Sequence, residues 1–266
     1  MYETFYGLRE KPFNVTSDPA FFFLSKRHKE AFSHLIYGIN ERKGILLITG
    51  EIGTGKTTLC KTLLDKLDKK IKTAFILNPN FSETQLLQLI VEDLGIIPKN
   101  KTKMSLISSL NKFLLQETSQ GGNVALIIDE AQNLKANQLE QIRLLSNLET
   151  DKEKLLQIIL VGQPELNQKL VLTQLRQLNQ RIAIRYHILP LEKDELKEYI
   201  AYRLNVAGSN GTIEFTPEAL EEIFIFSCGI PRLTNVVCDR ALLSGFVKET
   251  KKISYEIIKK CVEEIR

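Results

Sequence analysis

The stretch Gly50-Glu51-Ile52-Gly53-Thr54-Gly55-Lys56-Thr57 has the spacing Gly-x-x-x-x-Gly-Lys-Thr, and that spacing suits one kind of chemistry. Glycines let the backbone curl until successive N–H groups point inward, where they cradle phosphate oxygens. A helix opening at Lys56 adds the positive end of its dipole. Lys56 then reaches the β- and γ-phosphates of a triphosphate, and the Thr57 hydroxyl is placed to hold Mg²⁺. Such a loop needs a buried strand before it and a helix after it. Ile45-Leu46-Leu47-Ile48-Thr49 is a continuous apolar, β-rich run, and an amphipathic stretch follows from Thr57 to Lys70.

A second element lies downstream. Val124-Ala125-Leu126-Ile127-Ile128 ends in Asp129-Glu130. An apolar strand that ends in two acids puts them at its C-terminal edge, where open α/β sheets bind ligands. Asp129 would hold the Mg²⁺ through water, and Glu130 would orient and deprotonate an attacking water. A kinase that passes phosphate to a small molecule has no need of that second carboxylate.

Three further polar residues fall where they could serve the same site. Gln163 follows the apolar run Leu156 to Val161 and could hold the water between the carboxylates and the γ-phosphate. Arg181 precedes a fifth apolar run and could enter a neighbouring subunit's site to stabilise transition-state charge, with Arg176 and Arg185 as competitors. Arg232, in Gly229-Ile230-Pro231-Arg232, opens a helix and could fold over the γ-phosphate and report which nucleotide is bound.

The elements that must position these residues are legible as alternation. Apolar runs at 45–49, 73–77, 124–128, 156–161 and 182–189 are separated by amphipathic stretches at 57–70, 83–94, 106–117, 138–148 and 163–177. Strands alternating with helices imply a parallel sheet covered on both faces, an α/β domain. A helix over 25–41 precedes the first strand. After Pro190 the strands stop, and 191–205, 216–226, 231–248 and 254–265 are expected as helices. Thr216-Pro217 serves as a capped start. Residues 1–24, rich in Phe and Tyr and broken by Pro12 and Pro19, are expected as an extended arm packed on the domain. The division expected is 1–43 for arm and first helix, 44–191 for the phosphate-binding core and 192–266 for a helical lid.

Composition excludes several classes. The chain has 266 residues, 43% hydrophobic and 26% charged, which is globular rather than disordered. A net charge of +4 is mild and does not itself point to DNA. Cys60, Cys228, Cys238 and Cys261 are too widely spaced for a disulfide scaffold or a zinc site. The N-terminus lacks a signal-peptide pattern, and no apolar run approaches the roughly 20 residues of a membrane span. A soluble, intracellular chain is expected.

With the phosphate loop, Asp129-Glu130, Gln163, Arg181 and Gly-x-Pro-Arg232 in this order, the chain resembles the AAA+ ATPases over nearly its whole length. A narrower resemblance, to the ExeA type (the ATPase domain of general secretion pathway protein A), rests on longer strings. These are Phe5-Tyr6-Gly7-Leu8-Arg9-Glu10-Lys11-Pro12-Phe13, Asp18-Pro19-x-Phe21, His28-x-Glu30-Ala31 and Leu35-x-Tyr37-Gly38. Thr49 through Thr58, Asp129-Glu130-Ala131-Gln132-Asn133-Leu134 and Gly162-Gln163-Pro164-Glu165-Leu166 complete the set.

The resemblance implies a P-loop fold with a five-stranded parallel sheet in the order 5-1-4-3-2 and a C-terminal helical lid. It also implies ATP and Mg²⁺ as ligands, residues 50–58 as the ATP cradle, and self-association into rings or filaments. The segment before the first strand lines the adenine pocket in such ATPases, which would place Pro12, Phe13 and Val15 against the base with Tyr199 or Pro231 closing from the lid. Function would be ATP hydrolysis coupled to assembly of a type II secretion or pilus-like complex. ATP-dependent DNA binding in transposition, of the TniB/MuB type, is the alternative, with Lys66 to Lys72 and Lys99 to Lys103 as its candidate contacts. The expected location is cytoplasmic, at the inner membrane where a partner or a further C-terminal region brings it there. ExeA-type proteins commonly continue into a membrane span and a peptidoglycan-binding region, so the resemblance leaves open a domain of a longer chain or a stand-alone ATPase.

Overall fold

A computed structural model describes residues 1–265. It comprises two compact units, each assembled from separate pieces of chain. One is His28–Gly50 with Cys60–Ile188; the other is Met1–Arg27, Glu51–Leu59 and the chain from Leu189 onward.

The first unit is built on one sheet. Strands β1 (Ile45–Gly50), β2 (Ile71–Ile76), β3 (Asn123–Ile128), β4 (Gln157–Gly162) and β5 (Ile182–Ile188) are all parallel, in the order β2-β3-β4-β1-β5. This is the order 5-1-4-3-2 viewed from the opposite side. Every residue of β1, β3 and β4 is buried, as their central places require. The edge strands β2 and β5 mix buried and accessible positions. Helices Glu83–Asp93, Lys103–Ser119 and Ala136–Leu145 supply leucines and isoleucines to a core under the sheet. Their starts are chemically marked. Ser82 Oγ accepts the Gln85 N–H while Gln85 Oε1 accepts the Ser82 N–H, a reciprocal cap.

One helix departs from expectation. The stretch 163–177 is broken into Glu165–Leu170, a 3₁₀ turn at Thr173–Leu175 and Arg176–Arg181. Leu172 leaves the helical region at φ −59°, ψ 140°. The spacing explains the break. Leu166, Leu170, Leu175 and Leu178 are all buried, and five residues from Leu170 to Leu175 would turn a continuous helix well off the core-facing side.

The second unit holds helices Lys193–Val206, Pro217–Ser227, Pro231–Val247 and Tyr255–Ile265 around its own core. The Thr216 hydroxyl accepts the Ala219 N–H and Pro217 occupies the first helical position, as expected. Strands do not stop at Pro190: Glu214–Phe215 and Lys252–Ile253 form a two-stranded parallel pair too short to show an alternating pattern. The N-terminal segment is not wholly extended either. Tyr2–Tyr6 forms a helical turn, and Pro19–Phe21 a 3₁₀ turn. Its aromatics are core residues of this unit. Tyr6 donates to the carbonyls of Leu242 (3.0 Å) and Thr250 (3.2 Å), and burial pushes its hydroxyl pKa up to about 12. Phe5 meets Phe246, and Phe13 meets Phe215, both edge to face.

Arg203 fixes the arm. It is 5% exposed, and its guanidinium donates to the carbonyls of Pro12 (2.6 Å) and Asn14 (3.0 Å) and to the Tyr199 hydroxyl (2.9 Å). The Tyr199 hydroxyl in turn donates to Asn235 Oδ1 (2.7 Å). The guanidinium carbon lies 5.0 Å from the centre of the Phe21 ring, within cation–π range. Substituting Arg203→Ala strands two carbonyls at about 1–3 kcal/mol each. The variant should unfold at lower urea and be cleaved by protease between residues 9 and 20, whereas wild type resists there.

Candidate nucleotide-binding site

The sheet direction decides where the polar residues gather. β3, β4 and β1 are neighbours and parallel, so their C-terminal ends share one edge. Asp129 extends β3 by one residue, its N–H donating to the Ile76 carbonyl (2.9 Å). It is 1% exposed, and its Oδ1 accepts the Glu130 N–H (2.9 Å). Glu130 then turns sharply: its backbone is left-handed, φ 53°, ψ 37°, and a 3₁₀ turn Ala131–Asn133 follows. A non-glycine residue in that region costs about 1–3 kcal/mol and persists only where its surroundings hold it.

Those surroundings are amides. Glu130 Oε2 accepts from Gln132 Nε2 (2.5 Å) and from Gln163 Nε2 (3.2 Å), and Gln132 Oε1 accepts the Gln163 N–H (3.1 Å). Lys169 Nζ donates to the carbonyls of Gln132 and Leu134. The structure therefore brings Asp129, Glu130 and Gln163 together at one edge. At the end of β1, Thr49 Oγ1 lies 3.0 Å from His187 Nδ1 and accepts from Asn167 Nδ2 (3.3 Å), which ties β1 to β5 and to the Glu165–Leu170 helix.

The loop that leaves β1 belongs to the other unit. Gly53 and Gly55 adopt φ 81° and 91°. The Glu51 carbonyl accepts from Lys56 Nζ (2.8 Å), Thr54 Oγ1 (2.9 Å) and the Thr54 N–H (3.3 Å), which closes the loop on itself. Lys56 is 6% exposed and begins the helix Lys56–Lys66, with Thr57 and Thr58 in its first turn. Within the same unit the Gly53 carbonyl accepts the Arg232 N–H (3.2 Å), so the loop touches the start of the Pro231–Val247 helix. A side chain at Gly53 would place its Cβ 2.5 Å from Arg232 Cβ. Of the arm residues, Val15 is 57% exposed, whereas the Phe13 ring is 1% exposed inside the second core. Contact between that ring and a base would need the core to open.

Arg181 is not part of this gathering. It ends a helix just before β5, hence at the N-terminal edge of the parallel sheet, opposite Asp129, Glu130 and Gln163. It is exposed and donates to Asn147 Oδ1 and Ser146 Oγ (3.4 Å). Arg176 is also exposed. Arg185 donates to the Asn179 carbonyl (2.7 Å), and burial lowers its pKa. Sequence reasoning missed the roles of Gln132, Lys169, Asn167 and His187. Gln132 lay in view beside the carboxylates, but an amide in a string names no partner.

A glycine-rich loop, two carboxylates at the end of a buried parallel strand and a polar residue ending the neighbouring strand define a P-loop protein of the AAA type. The similarity to known proteins agrees with this: residues 39–170 match an AAA domain. It is 44% identical over 266 residues to general secretion pathway protein A of Aeromonas hydrophila, which covers 100% of this chain and 48% of that protein. The chain thus spans about half the length of the curated relative it matches. Solved structures share the fold at low identity. Cdc6p of Pyrobaculum aerophilum is 18% identical with TM-score 0.67, covering 92% of this chain and 70% of that one. RuvB of Thermotoga maritima, a Holliday junction branch migration motor, is 20% identical with TM-score 0.59, covering 90% and 69%.

Substituting Gly53→Ala should strain the loop both at φ 81° and against Arg232. A cost of about 1–3 kcal/mol is expected, seen as faster amide exchange across residues 51–59 with β3 and β4 unchanged.

Proposed function

We propose that the protein binds Mg-ATP and hydrolyses it to ADP and phosphate. The observation that carries this reading is the Gly50–Thr58 loop running from the C-terminal end of β1 into a helix, with Asp129 and Glu130 ending β3 at the same sheet edge. Residues Gly50, Glu51, Ile52, Gly53, Thr54, Gly55, Lys56, Thr57 and Thr58 hold the phosphates through backbone N–H groups and the Lys56 ammonium. Val15, with Pro231, flanks the base, while the enclosed Phe13 ring supports the segment from inside the core. The Thr57 hydroxyl and the Asp129 carboxylate, through water, suit Mg²⁺, which prefers oxygen donors and keeps several waters. Among the described residues no group of three His, Cys, Asp or Glu could hold a metal, so the donor set suits an ion that also leans on substrate phosphates. Bound Mg²⁺ neutralises charge on the phosphate oxygens.

Glu130 takes a proton from the attacking water, whose oxygen bonds the γ-phosphorus as the bond to the β–γ bridging oxygen breaks. Gln163 holds that water. Arg232 contacts the γ-phosphate, and Arg181 completes the site of an adjoining copy in a ring or filament. That last role fits its exposed place at the far edge of its own sheet.

The hydrolysis cycle serves assembly of a type II secretion or pilus-like complex at the inner membrane. The similarity to general secretion pathway protein A over the whole chain supports this. No helix among the described residues is long and apolar enough to cross a membrane. A second reading, ATP-controlled DNA binding, is favoured by two exposed lysine runs, Lys66, Lys69, Lys70 and Lys72 around the start of β2, and Lys99 and Lys101 between the Glu83–Asp93 and Lys103–Ser119 helices. Lys103 is paired with Glu83 (2.9 Å).

Calorimetry and phosphate release on three variants test the proposal. Lys56→Ala should abolish Mg-ATP binding. Glu130→Gln should bind normally yet hydrolyse about a hundredfold or more slowly. Arg181→Ala should lose about 10³-fold in turnover at protein concentrations where copies associate. Wild-type binding heat in Lys56→Ala would refute the site. A gel shift at low salt, where phosphate contacts are strongest, would move the function toward DNA.

A further inference from the structure

We propose that Gln132 is a positioning residue for hydrolysis: it sets the Glu130 carboxylate against the end of β4 and so aims the base. The proposal rests on the ATP-hydrolysis reading above and deepens it. Gln132 is attached at three points. Its backbone carbonyl accepts from Lys169 Nζ, its Oε1 accepts the Gln163 N–H (3.1 Å), and its Nε2 donates to Glu130 Oε2. The side chain therefore spans from β3's carboxylate to β4's first residue beyond the sheet, and both ends of its amide are used.

Two features show that the surroundings are shaped around this amide. A Cβ built on Gly162 would lie 2.8 Å from Gln132 Oε1, 3.0 Å from Leu166 Cδ2 and 3.3 Å from the Gln132 backbone nitrogen, so the last residue of β4 is a glycine where the Gln132 amide, with Leu166 beside it, needs the space. Glu130 holds a left-handed backbone, which frees its side chain from the strand's alternation and leaves the carboxylate's place to be set by its partners. Those partners are the amides of Gln132 and Gln163, and both bind Oε2. Oε1 is then the oxygen left to receive the proton of the attacking water. A base displaced by about 1 Å loses on the order of 10²-fold in rate.

Two substitutions dislodge the amide in different ways. Gln132→Asn is one methylene too short to span Glu130 and the Gln163 N–H. Gly162→Ala leaves Gln132 in the sequence and pushes it aside with a methyl. Steady-state kinetics and Mg-ATP calorimetry on wild type, both single variants and the double variant form the test. Each single variant should lower kcat about 10–100-fold, with KM and ATP affinity unchanged. The double variant should fall no further than the worse single one, because both act through one contact.

An unchanged or raised kcat in Gln132→Asn overturns the proposal, as does a loss confined to ATP affinity. Multiplicative effects in the double variant overturn it too. If Gln132→Asn fails to fold, Gly162→Ala alone decides by the same kcat–KM split. A wild-type chain that binds Mg-ATP but never turns it over removes the hydrolysis reading, and this proposal with it. Normal wild-type turnover with insensitive variants removes this proposal alone.

Discussion

Parallel strands leave all their C-terminal ends along one edge, and the rest of the site depends on that constraint. β1, β3 and β4 are buried along their full length. A charge inside them would be desolvated without compensation. Acids and amides become tolerable once the strands emerge, and in a parallel sheet they emerge together. Asp129, Gln163 and the start of the phosphate loop thus come into one neighbourhood by strand direction alone, although Gly50 and Gln163 are separated by most of the unit's sequence. The same geometry sends Arg181 to the opposite edge.

The second unit solves a different problem. Its arm carries carbonyl groups that cannot form a ladder, because the arm is neither strand nor long helix. Arg203 meets that need from a single helix with several donors in a fixed fork. The Tyr199 hydroxyl accepts a further bond from the guanidinium and donates its own to Asn235 Oδ1. A lysine there would supply fewer directed bonds. The loop Glu51–Leu59 shares this unit, and the Gly53 carbonyl is joined to the first turn of the helix that carries Arg232. The glycine-rich loop and the helix that carries Arg232 are therefore linked through main-chain groups.

Much of this was legible in the residues. Five apolar runs alternating with amphipathic stretches marked the sheet, and the glycine spacing marked the loop. Strand order came from the family resemblance, because periodicity says which segments are strands and not which are neighbours. Local irregularities were hidden for physical reasons. The break at Leu172 follows from where four leucines must point, which depends on the assembled core. The Glu214–Phe215 and Lys252–Ile253 pair is too short to display a period. Phe13 looked available to a ligand because an aromatic in a proline-broken segment gives no hint of the core that encloses it. Gln132 was unreadable because a neutral amide declares neither donor nor acceptor partner until strand ends are side by side.

The interleaving of the chain has a consequence for birth on the ribosome. Met1–Arg27 emerges well before the residues that bury its tyrosines and phenylalanines, which begin at Leu189. About 160 residues intervene, roughly 10–30 s of translation at ordinary elongation speeds. During that interval the sheet can form while an aromatic-rich segment waits without its core, a sticky nascent stretch that invites chaperone capture.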